Sequence, residues 1–246
     1  MHPHHLHALA AAWSLHDARQ TLDDLARDEA AQIAAERLEA PSLLRSTVYG
    51  GRPGSGSHSD PTPRMIAVAD RPERRNRWAE MAERCTTKVT WLARQLRTID
   101  APPVLDRMLT EGVLGPEGED DPLDWLIVAL RYALPGTAAA VLRHLLAEEA
   151  WVRPAIGQRR PTQLLIGATC PGCDRREVLT VQTAGPKTAW TVVCVGRWED
   201  NQHNPCLCLG AECGCGMPGA VEGVAHIWRR DHVLRAVAGA APTQTN

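Results

Sequence analysis

Residues 168–195 read ATCPGCDRREVLTVQTAGPKTAWTVVCV, two closely spaced cysteines followed by two short runs of β-forming residues. The runs at 178–181 and 190–195 predict strands, because β-branched side chains fit the pleated backbone. The turn at 183–187 between them contains glycine and proline, which predicts a hairpin. A third run at 164–166 precedes the cysteines. This part of the chain is therefore expected to form a small β domain.

The cysteines of this part have the spacing of metal ligands. Cys170-Pro-Gly-Cys173 is a tight turn that places two thiols on one side, as in a zinc ribbon. The predicted hairpin then returns the chain to Cys194 at the end of a strand. In place of a second C-x-x-C pair, residues 206–215 carry four more thiols. The candidate metal ligands are Cys170, Cys173, Cys194, Cys206, Cys208, Cys213 and Cys215.

Three metal centres are compatible with these ligands. One zinc ion held by Cys170, Cys173 and two of the other five thiols is the preferred interpretation. Two zinc ions would use all seven cysteines, with His203 or His226 as the eighth ligand. An iron–sulfur cluster held by four thiolates is the third alternative. The glycines that we expect to adopt positive φ angles, as the chain wraps the metal, are Gly210, Gly214 and Gly216.

Catalysis has less support in the sequence than metal binding. A thioredoxin-like redox role for Cys170 and Cys173 would require their motif to open a helix, but β-forming residues follow it. No His-x-Glu precedes the cysteine pair at the distance that a deaminase-like zinc site requires. Zinc bound by thiolates alone is normally structural. We therefore expect a protein that is not an enzyme, with thiol redox chemistry as the weaker alternative.

The N-terminal part of the chain has helical periodicity. Apolar residues at three- and four-residue steps predict helices over 8–38, 72–99, 122–134 and 136–151. A break is expected at Leu134-Pro135-Gly136, and a loop at 46–63, with a helix start at Ser59-Asp60-Pro61-Thr62. The helix at 72–99 carries a heptad seam formed by Trp78, Ala82, Cys85, Val89, Leu92, Leu96 and Ile99.

These elements predict an α+β protein with two domains. Residues 1–155 would form a helical bundle that includes the loop at 46–63, and residues 163–246 a zinc-stabilised, ribbon-like β domain. The linker between them, residues 153–163, is rich in arginine and proline. Cys85 lies on the heptad seam, so we expect a buried apolar side chain there rather than a metal ligand.

Composition restricts the compartment and the class of partner. The chain has 246 residues and a formal charge of −2, which argues against a uniformly basic nucleic-acid-binding surface. It has no apolar run of about 18 residues and no recognisable secretory leader, so we expect a cytoplasmic protein without a membrane partner. Disulfides are rare in that compartment. The interrupted histidines at positions 2, 4, 5 and 7 are a weak metal-binding signal.

Local basic residues nevertheless allow a nucleic-acid partner. Arg175 and Arg176 follow the cysteine turn, and Arg229 and Arg230 lie near the C-terminus. We expect these four side chains to contact phosphates of DNA or RNA, as in a regulator that binds nucleic acid or the transcription machinery. The alternative is a protein–protein or assembly module built on the seam at 78–99, with a host or phage protein as partner. The oligomeric state does not follow from the sequence.

The layout resembles a group of uncharacterised actinobacteriophage proteins. The residues that carry the resemblance are Gly54-Ser-Gly-Ser-His-Ser-Asp-Pro-Thr62, Cys170-Pro-Gly-Cys173 and Cys194. The resemblance implies a phage origin, a helical N-terminal part, a zinc-ribbon-like C-terminal part and a location in the host cytoplasm. The block of four thiols at 206–215 departs from that layout, since an ordinary second cysteine pair would stand there.

Overall fold

A computed structural model describes residues 1–45, 75–99, 121–199 and 202–239 of the chain. It is an α+β protein, as predicted, with helices in the N-terminal part and small sheets in the C-terminal part. The helices are α1 (Pro3–Arg45), α2 (Arg77–Ile99), α3 (Pro122–Ala129), α4 (Pro135–Ala155) and α5 (Arg230–Gly239). The strands are β1 (Thr162–Leu164), β2 (Leu179–Gln182), β3 (Thr191–Cys194), β4 (Arg197–Glu199), β5 (Gln202–Asn204) and β6 (Ile227–Arg229).

The helix boundaries differ from the predicted ones for local reasons. The predicted helix at 122–134 ends as α3 at Ala129, and a turn follows it. We predicted a break at residues 134–136, but α4 begins at Pro135, because proline is tolerated in the first turn of a helix. In α2 the helix begins at Arg77 rather than at 72. Asn76 caps it, since its Oδ1 accepts a hydrogen bond from the Ala79 N–H at 2.9 Å.

The seam of α2 is buried over its central turns. Cys85 and Val89 are fully buried, and Leu92 and Leu96 are each 2% exposed. This confirms that the Cys85 side chain is buried on the seam, as predicted. On the same helix, the Arg84 guanidinium lies 3.7 Å from the ring centre of Trp151 in α4. Burial within a single chain accounts for this part of the seam without a second copy, so the assembly role stays a prediction.

The helical part also contains a buried ionic network. Glu149 of α4 accepts hydrogen bonds from Arg153 at 3.0 Å and from Arg160 at 2.8 Å. Arg153 Nη2 donates to the Ser14 carbonyl of α1 at 2.6 Å, and the Ser14 hydroxyl donates to Glu149. Every charge of this network has a partner, which offsets the desolvation cost of burying it.

The C-terminal part contains a four-stranded antiparallel sheet in the order β1-β2-β3-β6. The predicted hairpin is confirmed as β2 and β3, in which Leu179 pairs with Cys194 and Gln182 with Thr191. The predicted strand at 164–166 is displaced to β1, which begins at Thr162. Strands β4 and β5 pair separately. The register places Cys194 at one end of the sheet and Thr191, paired with Arg229 of β6, at the other.

The core of this part combines sheet residues with cysteines. Val192, Ile227 and Trp228 are buried in it, together with Leu6 from the first turns of α1. His7 of α1 also donates through Nε2 to the carbonyl of Ala225 at 2.9 Å. The start of α1 is therefore part of the packing around the sheet. No helix of the described ranges is both long and apolar enough to cross a bilayer.

The chain forms two compact units by its internal contacts. One comprises Met1–Gln20 with Arg84–Asn246, and the other comprises Thr21–Glu83. Within the second unit, Asn76 donates to the Ala26 carbonyl at 2.6 Å. All candidate metal ligands belong to the first unit. The loop predicted at 46–63 and its Ser59–Thr62 helix start lie outside the described residues. The domain boundary near 155–163 stays a prediction.

Candidate metal centre

The seven predicted cysteines fall into two groups of four ligands, the second completed by a histidine. In each group, the ligand atoms all lie within 4.8 Å of one another. Site A consists of Cys170, Cys173, Cys194 and Cys206. Site B consists of Cys208, Cys213, Cys215 and His226. This division matches the alternative of two ions with a histidine as the eighth ligand. The other candidate, His203, lies in β5.

Site A is assembled by the cysteine turn and the end of the hairpin. The carbonyl of Cys170 accepts from the N–H of Cys173 at 3.3 Å and of Asp174 at 2.9 Å, which closes the turn tightly. Strand β3 then places Cys194 beside this turn, with 3.9 Å between the Cys173 and Cys194 sulfurs. The fourth thiol, Cys206, follows β5. Local turn geometry and sheet register together produce the site.

Site B is built mainly by one loop. Cys208, Cys213 and Cys215 lie within eight residues, separated by a 3₁₀ turn at Gly210–Glu212. Gly210 has a φ of 76° and allows the chain to reverse, as predicted, and Gly216 also has a positive φ of 62°. The prediction for Gly214 is wrong, since it is not among the positive-φ residues. The loop therefore needs left-handed backbone at its two ends rather than between its last two cysteines.

Backbone hydrogen bonds join the two sites. The Cys194 N–H donates to the His226 carbonyl at 3.1 Å, and the His226 N–H donates to the Cys206 carbonyl at 3.0 Å. One residue further on, Leu207 bridges Ala225, and the Cys208 N–H donates to the Val224 carbonyl at 2.8 Å. The chain around Cys206 thus extends the sheet edge and delivers one ligand to each site.

The spacing of the ligand atoms fits a single tetrahedral ion in each site. Zinc–sulfur bonds of about 2.3 Å place the sulfurs of a tetrahedron about 3.8 Å apart. The observed sulfur–sulfur distances are 3.9 Å in site A and 4.0 Å between Cys208 and Cys215 in site B. All eight cysteines are free thiols in this structure. Both groups can hold a metal ion.

Crowding of the thiols separates their proton affinities. A hydrogen bond from Cys170 lowers the pKa of Cys194 to about 6, and the same hydrogen bond raises the pKa of Cys170. Burial, followed by the neighbouring Cys173, raises the pKa of Cys206 to about 12. In site B burial raises the pKa of Cys215 to about 11. Several thiols therefore hold their protons at neutral pH until a cation displaces them.

His226 has the properties of a neutral ligand. Its side chain is fully buried, and burial lowers its pKa below the usual value, which favours the uncharged imidazole. Nε2 lies 3.2 Å from the sulfur of Cys213, another member of site B. The ring is stacked on Trp228, with the ring centres 5.6 Å apart. From the sequence, His226 was only one of two candidate ligands. Spacing along the chain does not reveal which histidine the strand pairing places beside the cysteines.

The four predicted nucleic-acid-binding arginines do not form one patch. Arg175 and Arg176 are exposed beside the cysteine turn, near the end of the sheet that carries Cys194. Exposed Arg229 and half-buried Arg230 lie at the opposite end, where Arg229 pairs with Thr191. The register thus separates the two pairs.

Two tryptophans of this part, Trp190 and Trp228, offer little surface on which bases could stack. Trp228 is 1% exposed, and its Nε1 donates to the Cys215 carbonyl at 3.0 Å, so it belongs to the core. Trp190 is half-buried and donates to the Gly185 carbonyl. Contact with nucleic acid therefore stays a prediction for the arginines.

Comparison with known proteins leaves the site to be interpreted from its own geometry. No family model, no curated protein and no solved structure matches this chain. The histidines near the N-terminus lie outside both ligand groups. Among them, His5 donates through Nε2 to the Ala133 carbonyl at 2.6 Å, which is a structural contact.

Proposed function

We propose that this protein is a non-enzymatic zinc-binding protein whose C-terminal part is a two-zinc structural module. The observation that carries the proposal is the pair of four-ligand groups, each with its ligand atoms within 4.8 Å. Site A offers four thiolates, and site B offers three thiolates and one imidazole. Both sets are typical of structural zinc.

The ligand chemistry favours zinc over an iron–sulfur cluster. Soft thiolates in a tetrahedral arrangement select zinc or iron. A cluster would place several iron and sulfide ions between its thiolates and hold them farther apart than one central ion does. The close approach of the sulfurs supports a single ion in each site. With four protein ligands per ion, neither site keeps the open position that hydrolytic zinc requires.

X-ray absorption at the zinc edge tests this proposal on the full chain. The expected spectrum corresponds to seven sulfur ligands and one nitrogen ligand shared over two zinc ions, with distances of about 2.3 Å and 2.0 Å. A Cys85→Ala variant is the matched control, since it removes a thiol outside both sites and should leave the spectrum unchanged. Oxygen ligands at an open position would contradict the structural assignment.

A regulator that contacts nucleic acid is the second candidate, and one observation favours it. Asp174 and Glu177, which flank Arg175 and Arg176, have φ angles of 53° and 60°. Left-handed backbone is unusual for residues other than glycine, and such strain concentrates at functional sites. The turn thereby presents two adjacent exposed arginines. Their acidic neighbours balance the local charge, so we expect only about two phosphate contacts.

Salt dependence of binding to random-sequence DNA and RNA tests this second candidate. With two phosphate contacts, the logarithm of the affinity should fall with the logarithm of salt with a slope of about 1.8 on duplex DNA. Arg175→Ala with Arg176→Ala should remove binding, whereas Arg229→Ala should have little effect. Equal losses from both changes, or no binding at low salt, would eliminate the role of this arginine pair.

A further inference from the structure

His226 contacts both metal sites through opposite edges of one ring. Its Nε2 lies 3.2 Å from the sulfur of Cys213, a ligand of site B. Its Nδ1 lies 3.1 Å from the sulfur of Cys206, a ligand of site A. Its backbone is also shared, because its N–H donates to the Cys206 carbonyl and its carbonyl accepts from Cys194.

Two neighbours restrict the orientation of the ring. Trp228 is stacked on it, with an angle of 28° between the ring planes. Gly172 of the cysteine turn lies so close that a β-carbon there would stand 2.3 Å from His226 Cε1. A glycine is thus required in the turn of site A because the ligand of site B occupies the neighbouring space. The ring has little freedom to rotate away from either sulfur.

The number of ligands assigns a different role to each nitrogen. Site A already has four thiolates, which fill a tetrahedral ion. Site B has three thiolates and needs Nε2 as its fourth ligand. A neutral imidazole that binds metal through Nε2 carries its proton on Nδ1. That N–H points at the Cys206 sulfur, so the metal in site B determines which tautomer faces site A. Ligating histidines commonly use their second nitrogen for such a hydrogen bond.

We propose that His226 couples the two sites, so that they bind zinc with positive cooperativity. This inference rests on the proposed two-zinc function. An ion in site B holds the ring in place with its proton on Nδ1, and this N–H stabilises the Cys206 thiolate that an ion in site A requires. Binding of an ion in site A in turn ionises Cys206, and the resulting thiolate accepts the hydrogen bond from Nδ1. By linkage, each ion strengthens binding of the other by the same factor.

The test compares the zinc affinity of site A with site B filled and empty, in the full chain. Cys215→Ala removes a ligand of site B and leaves His226 in place. Competition with a chromogenic chelator gives the affinities, and cobalt(II) absorption identifies which site is filled, because four-thiolate and three-thiolate sites have different spectra. We expect site A to bind zinc 10–100-fold more weakly in this variant than in the unchanged chain with both sites filled.

A second variant separates the ring from general structural loss. His226→Cys supplies site B with a fourth thiolate but removes the donor to Cys206. Whether or not this variant fills site B, we expect the same 10–100-fold weakening of site A. Cys85→Ala is the control and should change neither affinity. Site A affinity that is unchanged in either site B variant would overturn the coupling, even though two ions still bind. Fewer than two ions in the unchanged chain would instead overturn the proposed function.

Discussion

Sites A and B use the same kinds of ligand but depend on the fold in different ways. The ligands of site A come from a turn, a strand end and the chain after β5, and they span residues 170–206. Three of the four ligands of site B come from one loop of eight residues, and only His226 is distant. An ion in site A therefore links separate segments at one end of the sheet, whereas an ion in site B mainly links residues within one loop. The same metal can thus stabilise a fold or only a local segment.

The largest expected difference between the sites concerns folding of the sheet. Cys194→Ala removes a site A ligand at the end of β3, and we expect loss of hydrogen-exchange protection at the paired amides of β2 and β3. Structural zinc in small domains binds with about 10–16 kcal/mol, which becomes folding free energy. The matched change, Cys215→Ala at saturating zinc, should leave this protection in place. Hydrogen exchange read by NMR checks both variants.

Two outcomes would contradict this difference. Protected β2 and β3 amides in the Cys194→Ala chain would show that the apolar core, with Val192 and Ile227, folds the sheet without site A. Equal loss of protection in both variants would show that the sites form one structural unit. The unequal roles that we assign to the two ions would then be wrong.

Glycine substitutions provide a finer comparison. At Gly172 an added β-carbon would stand 2.3 Å from the His226 ring, whereas at Gly214 it would meet nothing within 4 Å. Gly172→Ala should displace the ring and weaken zinc binding at site B by 10–100-fold, as a disturbed metal environment does. Gly214→Ala should have no such effect. Competition with a chelator measures the zinc affinity of site B in both variants. Equal affinities would show that Gly172 does not hold the His226 ring in its binding position.

The smallest expected difference is the number of protons that each site releases. At pH 7, the pKa values of Cys206, about 12, and of Cys215, about 11, keep these thiols protonated, as does the raised pKa of Cys170. Zinc must ionise them, so site A should release at least two protons and site B at least one. The direction of the pH dependence follows from competition, since protons and zinc bind the same sulfurs. Affinity should therefore fall as the pH falls, about 100-fold per unit for site A.

Calorimetric zinc titrations in buffers of different ionisation enthalpy count these protons. In the unchanged chain, we expect at least three for the two ions. In the Cys215→Ala chain, at least two should remain, because site A is intact. Release of one proton or none in the unchanged chain would show that the thiols are already ionised before zinc binds, contrary to the effect of burial described above.

The sequence predicts the ligands better than it predicts their grouping. The spacing of Cys170 and Cys173 alone predicts a metal-binding turn. The β-branched runs predict the hairpin that brings Cys194 to this turn. The assignment of Cys206 to one site and Cys208 to the other depends on the pairing of Leu207 with Ala225, which joins residues far apart in the chain. Sequence periodicity carries no information on such pairing.

The same limit applies to His226 and to the arginines. His226 becomes a ligand because β6 pairs with β3, and the preceding residues then lie beside Cys206. Its identity follows from the topology of the sheet rather than from a motif. The register of this sheet also separates Arg176 from Arg229, two of the four arginines that we expected to contact phosphates. The helices were predictable from their apolar periodicity, but their ends were less so. The helix predicted at 8–38 is observed as Pro3–Arg45, and Asn76 and Pro135 determine the starts of two other helices locally.

Metal content per chain decides whether both ligand groups hold zinc. The full chain, purified without a histidine tag, should contain two zinc atoms by elemental mass spectrometry, and the Cys215→Ala chain should contain one. One zinc atom in the unchanged chain would contradict the account, because one of the two ligand groups would then have no ion. Iron in place of zinc would contradict it as well.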